Sequence, residues 1–340
     1  MKKQVIGIVL PYLKSRGTEK QALGLAKGFI RKGGNVILFV VQGWGLQSMY
    51  EAFEMEGVKV VNVGLPLNEG EKTVGFSRLF PLSHLARIHE CTVLFSRAGM
   101  TNQITGLAAK LASIPSVVVL SSGVKPSQKK KQEFKNFLRS IRKEIYFGFP
   151  THIVSVSSEG AKNFANTYPL LAQKVCSIPN GVDLQSAEEA ITHRELKKEN
   201  FNLAFIGSLE LERKGLDILV ESLRLLVIEQ DRRKISVVLI GTGEDKEKIM
   251  VLAEKAGVID CMVFAGEQSN PSLIISQCDL FVLPSRREGL PNALLEAMSL
   301  GLCSIAADCH TGPREIITSG EDGLLVPVGD AQSLAKAIND

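Results

Sequence analysis

The sequence predicts an α/β protein built from two doubly wound, parallel-sheet domains, and three observations carry that prediction. Short β-branched runs alternate with amphipathic stretches of helical spacing along the chain. The alternation pauses once, between Ser177 and Asn200, and then restarts. The 340 residues, 45% of them hydrophobic, suffice for two ordinary cores.

The elements follow in order. QVIGIVL (4–10) reads as a strand, Glu19 to Arg31 as an amphipathic helix, and NVILFVV (35–41), TVLFS (92–96), SVVVL (116–120) and HIVSV (152–156) as further strands. They are apolar at nearly every position rather than at alternate ones, the mark of strands covered on both faces in a parallel sheet. IPNGVD (178–183) is a Pro/Asn/Gly turn, and the polar stretch Gln185 to Asn200 shows no strand pattern, so a domain boundary is expected here, dividing 1–183 from 184–340. The second series is FNLAFIG (201–207), ISVVLIG (235–241), MVFAG (262–266), DLFVLPS (279–285), LCSIAA (302–307) and LLVPV (324–328). In open parallel sheets ligands bind beyond the carboxyl ends of the strands, so two such domains predict a cleft lined by strand-to-helix turns.

Composition narrows the function. The net charge is +4, but Lys125 to Glu144 holds eight Lys/Arg against two Glu, so basicity is one local feature and no nucleic-acid footprint spans the protein. No apolar run approaches bilayer-spanning length, and Val5 to Leu10 stops at Pro11, too short for a signal-peptide core; a cytoplasmic protein is expected. Six cysteines lie scattered without a C-x-x-C pair, and the five histidines form no cluster. The cysteines are expected to be reduced, mostly buried thiols, with no zinc site.

The turns carry the chemistry. In LPSRREGLPNALLEAMSLG (283–301) a helix should begin near Pro291 and stop at Gly301. The amides of Gly289, Leu290 and Asn292, backed by the helix dipole, then form an anion site. Glu288 precedes this helix and Glu296 lies eight residues on. Carboxylates beside a phosphate site accept hydroxyls, which points to a sugar nucleotide; the plainer alternative is a cap and a solvated helix residue. GSLELERKGLDILVES (207–222) opens on Gly207 and sets Arg213 and Lys214 ahead of another helix, a poor place for cations unless they meet a diphosphate. GTGEDKEKI (241–249) adds Gly241 and Gly243, weak evidence alone because the dinucleotide fingerprint lacks its third glycine.

At these residues the chain resembles glycosyltransferase family 4, the group 1 type of retaining GT-B enzymes with paired Rossmann-like domains, strongly from Ile178 onward. The family's E-x7-E element looks like Glu288 and Glu296; the resemblance implies that Glu288 contacts donor-sugar hydroxyls and Glu296 the ribose. Arg213 and Lys214 match its diphosphate-binding Arg-Lys pair, IPNGVD its interdomain motif, and Gly241 and Gly243 its second glycine turn. PYLKSRGTEKQALGLAKGF (11–29) looks like its glycine loop, with Gly17 approaching a phosphate and Thr18 capping the helix; a plain capped turn fits equally. Many relatives carry a histidine after the strand SVVVL, where this chain reads Ser121-Ser122-Gly123. Relatives also continue with a helix that crosses back to the first domain, whereas AQSLAKAIND (331–340) ends this sequence.

Phe134, Leu138, Ile141 and Ile145 recur at helical spacing among lysines and arginines. This basic amphipathic helix, with Tyr146, Phe147 and Phe149 after it, suits an anionic membrane surface through 125–149 or a core-packed helix with a solvated face. The resemblance implies transfer from a UDP- or GDP-sugar to a glycan or lipid-linked acceptor, without cofactor or required metal, in cell-surface polysaccharide, lipopolysaccharide or glycolipid synthesis. The alternatives are a sugar-nucleotide epimerase and a non-catalytic sugar-nucleotide-binding partner. The enzyme is expected in the cytoplasm or peripherally on the inner face of the membrane.

Overall fold

A computed structural model of the chain describes residues 4–14, 17–64, 76–97, 99–121, 145–192, 200–229, 234–268 and 270–340. The chain divides into two compact units, Met1–Asn180 and Gly181–Asp340.

The first unit is a parallel sheet of β1 (Val5–Leu10), β2 (Asn35–Val40), β3 (Lys59–Asn62), β4 (Val93–Ser96), β5 (Ser116–Leu120), β6 (His152–Ser155) and β7 (Val175–Ser177). Their spatial order is β3-β2-β1-β4-β5-β6-β7. The central strands are apolar on both faces because helices cover both. On one side α1 (Gly17–Arg31) and α2 (Gln47–Met55) bring Ala22, Ala26, Met49 and Phe53 onto Ile8, Leu10 and Leu38. On the other, α3 (Leu79–Ile88) and α4 (Gly99–Ala112) bring Leu82, Ala86, Ile104 and Ala108 onto Val9, Phe39 and Leu94. A smaller cluster under α5 (Ser158–Thr167) joins Phe164 and Tyr168 to Val118 and Ile153.

The second unit repeats the plan with β8 (Phe201–Ile206), β9 (Ile235–Ile240), β10 (Met262–Gly266), β11 (Leu280–Leu283), β12 (Cys303–Ala307) and β13 (Leu324–Val326), ordered β10-β9-β8-β11-β12-β13 and parallel where paired. Helices α7 (Leu216–Arg224), α8 (Lys246–Lys255) and α11 (Ala331–Asn339) cover one face. Helices α6 (Leu184–Thr192), α9 (Pro271–Ile275) and α10 (Asn292–Ser299) cover the other. Every residue of β11 is buried.

In the polar stretch after IPNGVD, α6 occupies the first half and buries Ala187 and Ala190 in the second core. Residues 122–144, most of the basic segment and Ser122, lie outside the described residues. Where description resumes, Phe147 packs edge-on against Phe164, with ring centroids 5.2 Å apart, and Phe149 lies under Lys110. The cysteines are free, but Cys176 and Cys303 are exposed, leaving Cys91, Cys278 and Cys309 as the buried thiols. Among the described residues, no helix is long and apolar enough to cross a membrane.

Candidate functional site

In the second sheet β8 has β9 on one side and β11 on the other, so the chain direction of winding reverses between β8 and β11. Ligands of open parallel sheets bind at such a switch point. The two turns singled out in the sequence leave these two strands: 207–215 follows β8, and 284–291 follows β11.

They are fastened to one another. Gly215 takes φ +64° immediately before α7, and a Cβ there would sit 2.0 Å from the carbonyl oxygen of Pro284, so both the left-handed turn and the close approach require glycine. The Arg286 amide donates to the Arg213 carbonyl (3.0 Å). The Arg286 guanidinium grips Asp217 with two bonds of 2.6 Å. Across this seam Lys214 Nζ donates to Glu288 Oε1 at 2.6 Å, with the side chains 11% and 9% exposed. Gly207 leaves room for the lysine stem, since a Cβ there would lie 3.3 Å from Lys214 Cε. The sequence therefore holds two residues 74 apart in one buried ion pair.

Arg213 is held within its own turn. Its Nε and Nη2 donate to the Glu210 carboxylate at 2.6 and 2.7 Å, and Nη2 also reaches Ser208 Oγ at 2.8 Å. The hydrogen bond from Arg213 is the main reason the Glu210 carboxyl falls to about 2, and the same bond raises Arg213 above its ordinary value. Glu288 also acts on Arg213 through space.

The helix α10 begins one residue later than the sequence predicts: Pro291 is its N-cap and Asn292 its first residue. Proline has no N–H to lose at that point. The amides of Gly289 and Leu290 donate to no protein group among the described residues. The helix ends at Gly301, which takes φ +70°, as the sequence predicts. Glu296 lies in the middle of α10, half-buried.

Gly241 and Gly243 form a second turn that packs on the first. A Cβ at Gly241 would meet the Gly207 carbonyl at 2.0 Å and one at Gly243 the Leu209 backbone at 2.5 Å. The Leu209 amide donates to the Thr242 carbonyl (3.0 Å), and Asp245 accepts from the Leu211 amide (3.0 Å). In the first unit α1 already includes Gly17, so Thr18 stands inside the first turn and is not the cap.

A third turn, after β12, was not anticipated. Cys309 Sγ donates to the Ser285 carbonyl (2.9 Å), and the Thr311 hydroxyl donates to the Glu288 carbonyl. Burial first, and the Glu288 charge second, push the Cys309 thiol up to about 12, so it stays protonated. Glu210 and the Asp217–Arg286 pair were also missed. The signal for the third turn was available: a strand, CSIAA, followed by Thr311-Gly312-Pro313. Among the described residues no group of His, Cys, Asp and Glu could hold a metal ion.

Residues 15–186 match the family described as "Glycosyltransferase Family 4", and residues 187–340 match "Glycosyl transferases group 1". An uncharacterized glycosyltransferase of Methanocaldococcus jannaschii is 29% identical over 180 residues, which are 51% of this chain and 44% of that protein. The N,N'-diacetylbacillosaminyl-diphospho-undecaprenol alpha-1,3-N-acetylgalactosaminyltransferase of Campylobacter jejuni is 26% identical over 298 residues, 83% of this chain and 76% of that one. The chain thus spans under half the length of the first relative and about three quarters of the second. Among solved structures, HepE of Anabaena in complex with UDP-glucose superposes with a TM-score of 0.78 at 19% identity, covering 98% of this chain and 88% of that one. WaaG, a glycosyltransferase involved in lipopolysaccharide biosynthesis, superposes with 0.75 at 16% identity, covering 98% and 90%. With its two parallel-sheet domains and both halves matched in order, the chain belongs to glycosyltransferase family 4, the group 1 transferases of the GT-B fold.

Proposed function

We propose that this chain is a retaining glycosyltransferase that moves a sugar from a nucleoside-diphosphate sugar, UDP- or GDP-linked, to a hydroxyl of a glycan or lipid-linked acceptor in cell-surface polysaccharide, lipopolysaccharide or glycolipid synthesis. One observation carries the reading: the buried Lys214–Glu288 pair joins the two turns at the β8/β11 switch point, beside Arg213 and the Gly289 and Leu290 amides. A cation and a carboxylate in contact suit a ligand whose anionic part adjoins a hydroxyl-bearing part.

In this reading Arg213, Lys214 and the start of α10 take the diphosphate, Glu288 accepts hydroxyls of the transferred sugar, and Glu296 accepts those of the ribose. The bond from the sugar's anomeric carbon to the diphosphate oxygen breaks, the acceptor oxygen bonds to that carbon on the same face, and the acceptor proton passes to the departing phosphate. Charge grows on the diphosphate as the bond breaks, and fixed cations there lower the barrier without reorganising. The protein groups supply that charge stabilisation, so no metal step is invoked. The Campylobacter relative is named for a diphospho-lipid acceptor and the Anabaena structure for UDP-glucose, which supports this choice of substrates.

A thermal-shift series of nucleoside diphosphates and their sugars tests the donor, because a ligand that binds only the folded state raises its melting temperature. The expected result is a shift with one family of sugar nucleotides, followed by donor-dependent product on a supplied acceptor. Nucleoside diphosphate release with no acceptor product, or no shift with any nucleotide, refutes the proposal. Docking on an anionic leaflet belongs to the proposal too; it rests on the cations of 125–143, and failure to co-sediment with anionic vesicles at low salt removes it.

A further inference from the structure

The first sheet has a switch point of its own, between β1 and β4, with β2 beyond one and β5 beyond the other. Arg97 stands there, one residue past β4 and two before α4. It is 9% exposed, its Nη2 donates to the neutral Asn180 Oδ1, and its Nε has no partner among the described residues. The surroundings are firmly built. Ser96 Oγ donates to Asn102 Oδ1 (2.6 Å), and Asn102 Nδ2 donates to the Val119 carbonyl (2.8 Å), which ties the start of α4 to the ends of β4 and β5. Thr101 Oγ1 reaches the Val9 carbonyl (3.4 Å), tying the same turn to β1.

A buried guanidinium whose only described partner is a neutral amide is unfavourable unless an anion meets it. Burial accordingly pulls Arg97 down to about 10, with no opposing charge contributing among the described residues. The fourteen-residue α4 begins at Gly99, so its amide end adds positive potential beside the guanidinium. The planar donor edge at Nε matches the oxygens of a phosphate. The donor diphosphate has its own cations in the second unit, Arg213 and Lys214.

We propose that Arg97 and the start of α4 form a phosphate subsite at the β1/β4 switch point, and that it holds a phosphate carried by the acceptor. The assignment to the acceptor rests on the transferase reading above; the subsite itself does not. The shared chemistry is a phosphate ester, borne either by a soluble sugar phosphate or by a lipid headgroup.

The test uses the full chain and three variants, Arg97→Gln, Arg97→Lys and Asn180→Ala. Affinities for N-acetylglucosamine 1-phosphate and for N-acetylglucosamine are measured by calorimetry with UDP present. A second arm measures co-sedimentation with phosphatidylcholine vesicles carrying a polyprenyl phosphate, against plain phosphatidylcholine. The protein should prefer the phosphate-bearing probe by about tenfold or more, the scale of one charge-assisted hydrogen bond. Preference in the first arm identifies a soluble phosphate, and in the second alone a lipid one. Arg97→Gln should erase the preference and Arg97→Lys retain part of it, both without a fall in melting temperature. Asn180→Ala should keep it, because the guanidinium remains. An unchanged preference in Arg97→Gln, or none in the unaltered protein in either arm, overturns the subsite. Loss of the preference in Asn180→Ala overturns it as well, reducing Arg97 to a loop tether. If UDP binds none of the proteins, the donor reading fails instead, and the phosphate preference is still read without UDP.

Discussion

Replacing Lys214 by methionine while Glu288 stays in place separates a true buried pair from two independent side chains. Nζ and Oε1 are 2.6 Å apart and both side chains are about nine-tenths out of water, so the variant strands a carboxylate beside an apolar stem. Breaking a buried pair from one side costs about 3 to 5 kcal/mol, because the surviving charge has lost its compensation. Arg213 acts on Glu288 through space, which places the expected cost at the lower end, about 3 kcal/mol. For a unit running from Gly181 to Asp340, each kcal/mol shifts the melting temperature by about 2 to 4 °C, so the variant should melt roughly 6 to 12 °C lower. Glu288→Gln should act in the same direction and less strongly, since an amide oxygen still accepts from the ammonium.

The double variant, Lys214→Met with Glu288→Gln, is the informative one. Desolvation and attraction nearly cancel in buried pairs, so removing both charges should restore most of the stability, giving a coupling of about 1 to 3 kcal/mol between the sites. Urea titrations of the four proteins measure it. Donor turnover should not return with stability, because charge on the diphosphate is then met by one cation fewer. Strict additivity of the two single variants would refute the energetic pairing. A double variant that turns over like the parent would refute the donor site.

Three further outcomes follow from the same geometry. Arg213→Ala should lower turnover about a hundredfold with little change in melting temperature, since its partners Glu210 and Ser208 belong to its own turn; unchanged turnover in a nucleotide-release assay sinks its role. Gly215→Ala forces an L-residue to φ +64° and a Cβ to 2.0 Å from the Pro284 carbonyl, so a loss of more than about 2 kcal/mol is expected in denaturant titration, and parent-like stability would show that the seam is not rigid. Glu210 sits near 2 against an ordinary 4.5. Because the folded value is the lower one, the stabilisation from its pair with Arg213 is full above about 4.5 and fades as the pH falls towards 2. Glu210→Gln should therefore flatten the stability profile across that window in acid titrations, and an identical profile would count against the pair.

Most of the architecture is legible because buried parallel strands write themselves as continuous apolar runs. The strands at 5–10, 35–40, 93–96, 116–120 and 152–155, and all six of the second sheet, fall where those runs are. The two strands that were missed are at the edges. Lys59–Asn62 presents both its ends to solvent, and Val175–Ser177 has three residues, of which Cys176 and Ser177 are exposed. With one neighbour each, they need little apolar surface and leave little pattern. The basic amphipathic pattern at 125–149 is equally clear in period, yet period alone does not say whether an apolar face meets lipid or protein, and most of that segment lies outside the described residues. At the site, residue types and spacing identified both turns and brought Lys214 and Glu288 to light. They did not show that the two touch, because contact across 74 residues is set by β8 and β11 lying side by side. Nor did they give Glu210 a role: an acidic residue three before an arginine reads as ordinary turn chemistry until the geometry makes the bond bidentate.

The pairing of charges also bears on how a donor site of this kind would select its ligand. Arg213, Lys214, Glu210 and Glu288 carry two charges of each sign, but they are not equivalent. The Arg213 and Glu210 side chains are each more than a third exposed, so water screens that pair and the arginine can share itself with a phosphate at small cost. Lys214 and Glu288 are nearly out of water, and a phosphate that draws on Lys214 leaves Glu288 needing new donors in a place where water supplies few. In the proposed reading, the hydroxyls of a sugar attached to that phosphate supply them. A bare nucleoside diphosphate does not, and its binding must carry the cost of an under-satisfied carboxylate. Selectivity for the sugar-bearing donor over the released diphosphate then follows from the burial of Glu288, and product release is favoured by the same term that favours donor binding.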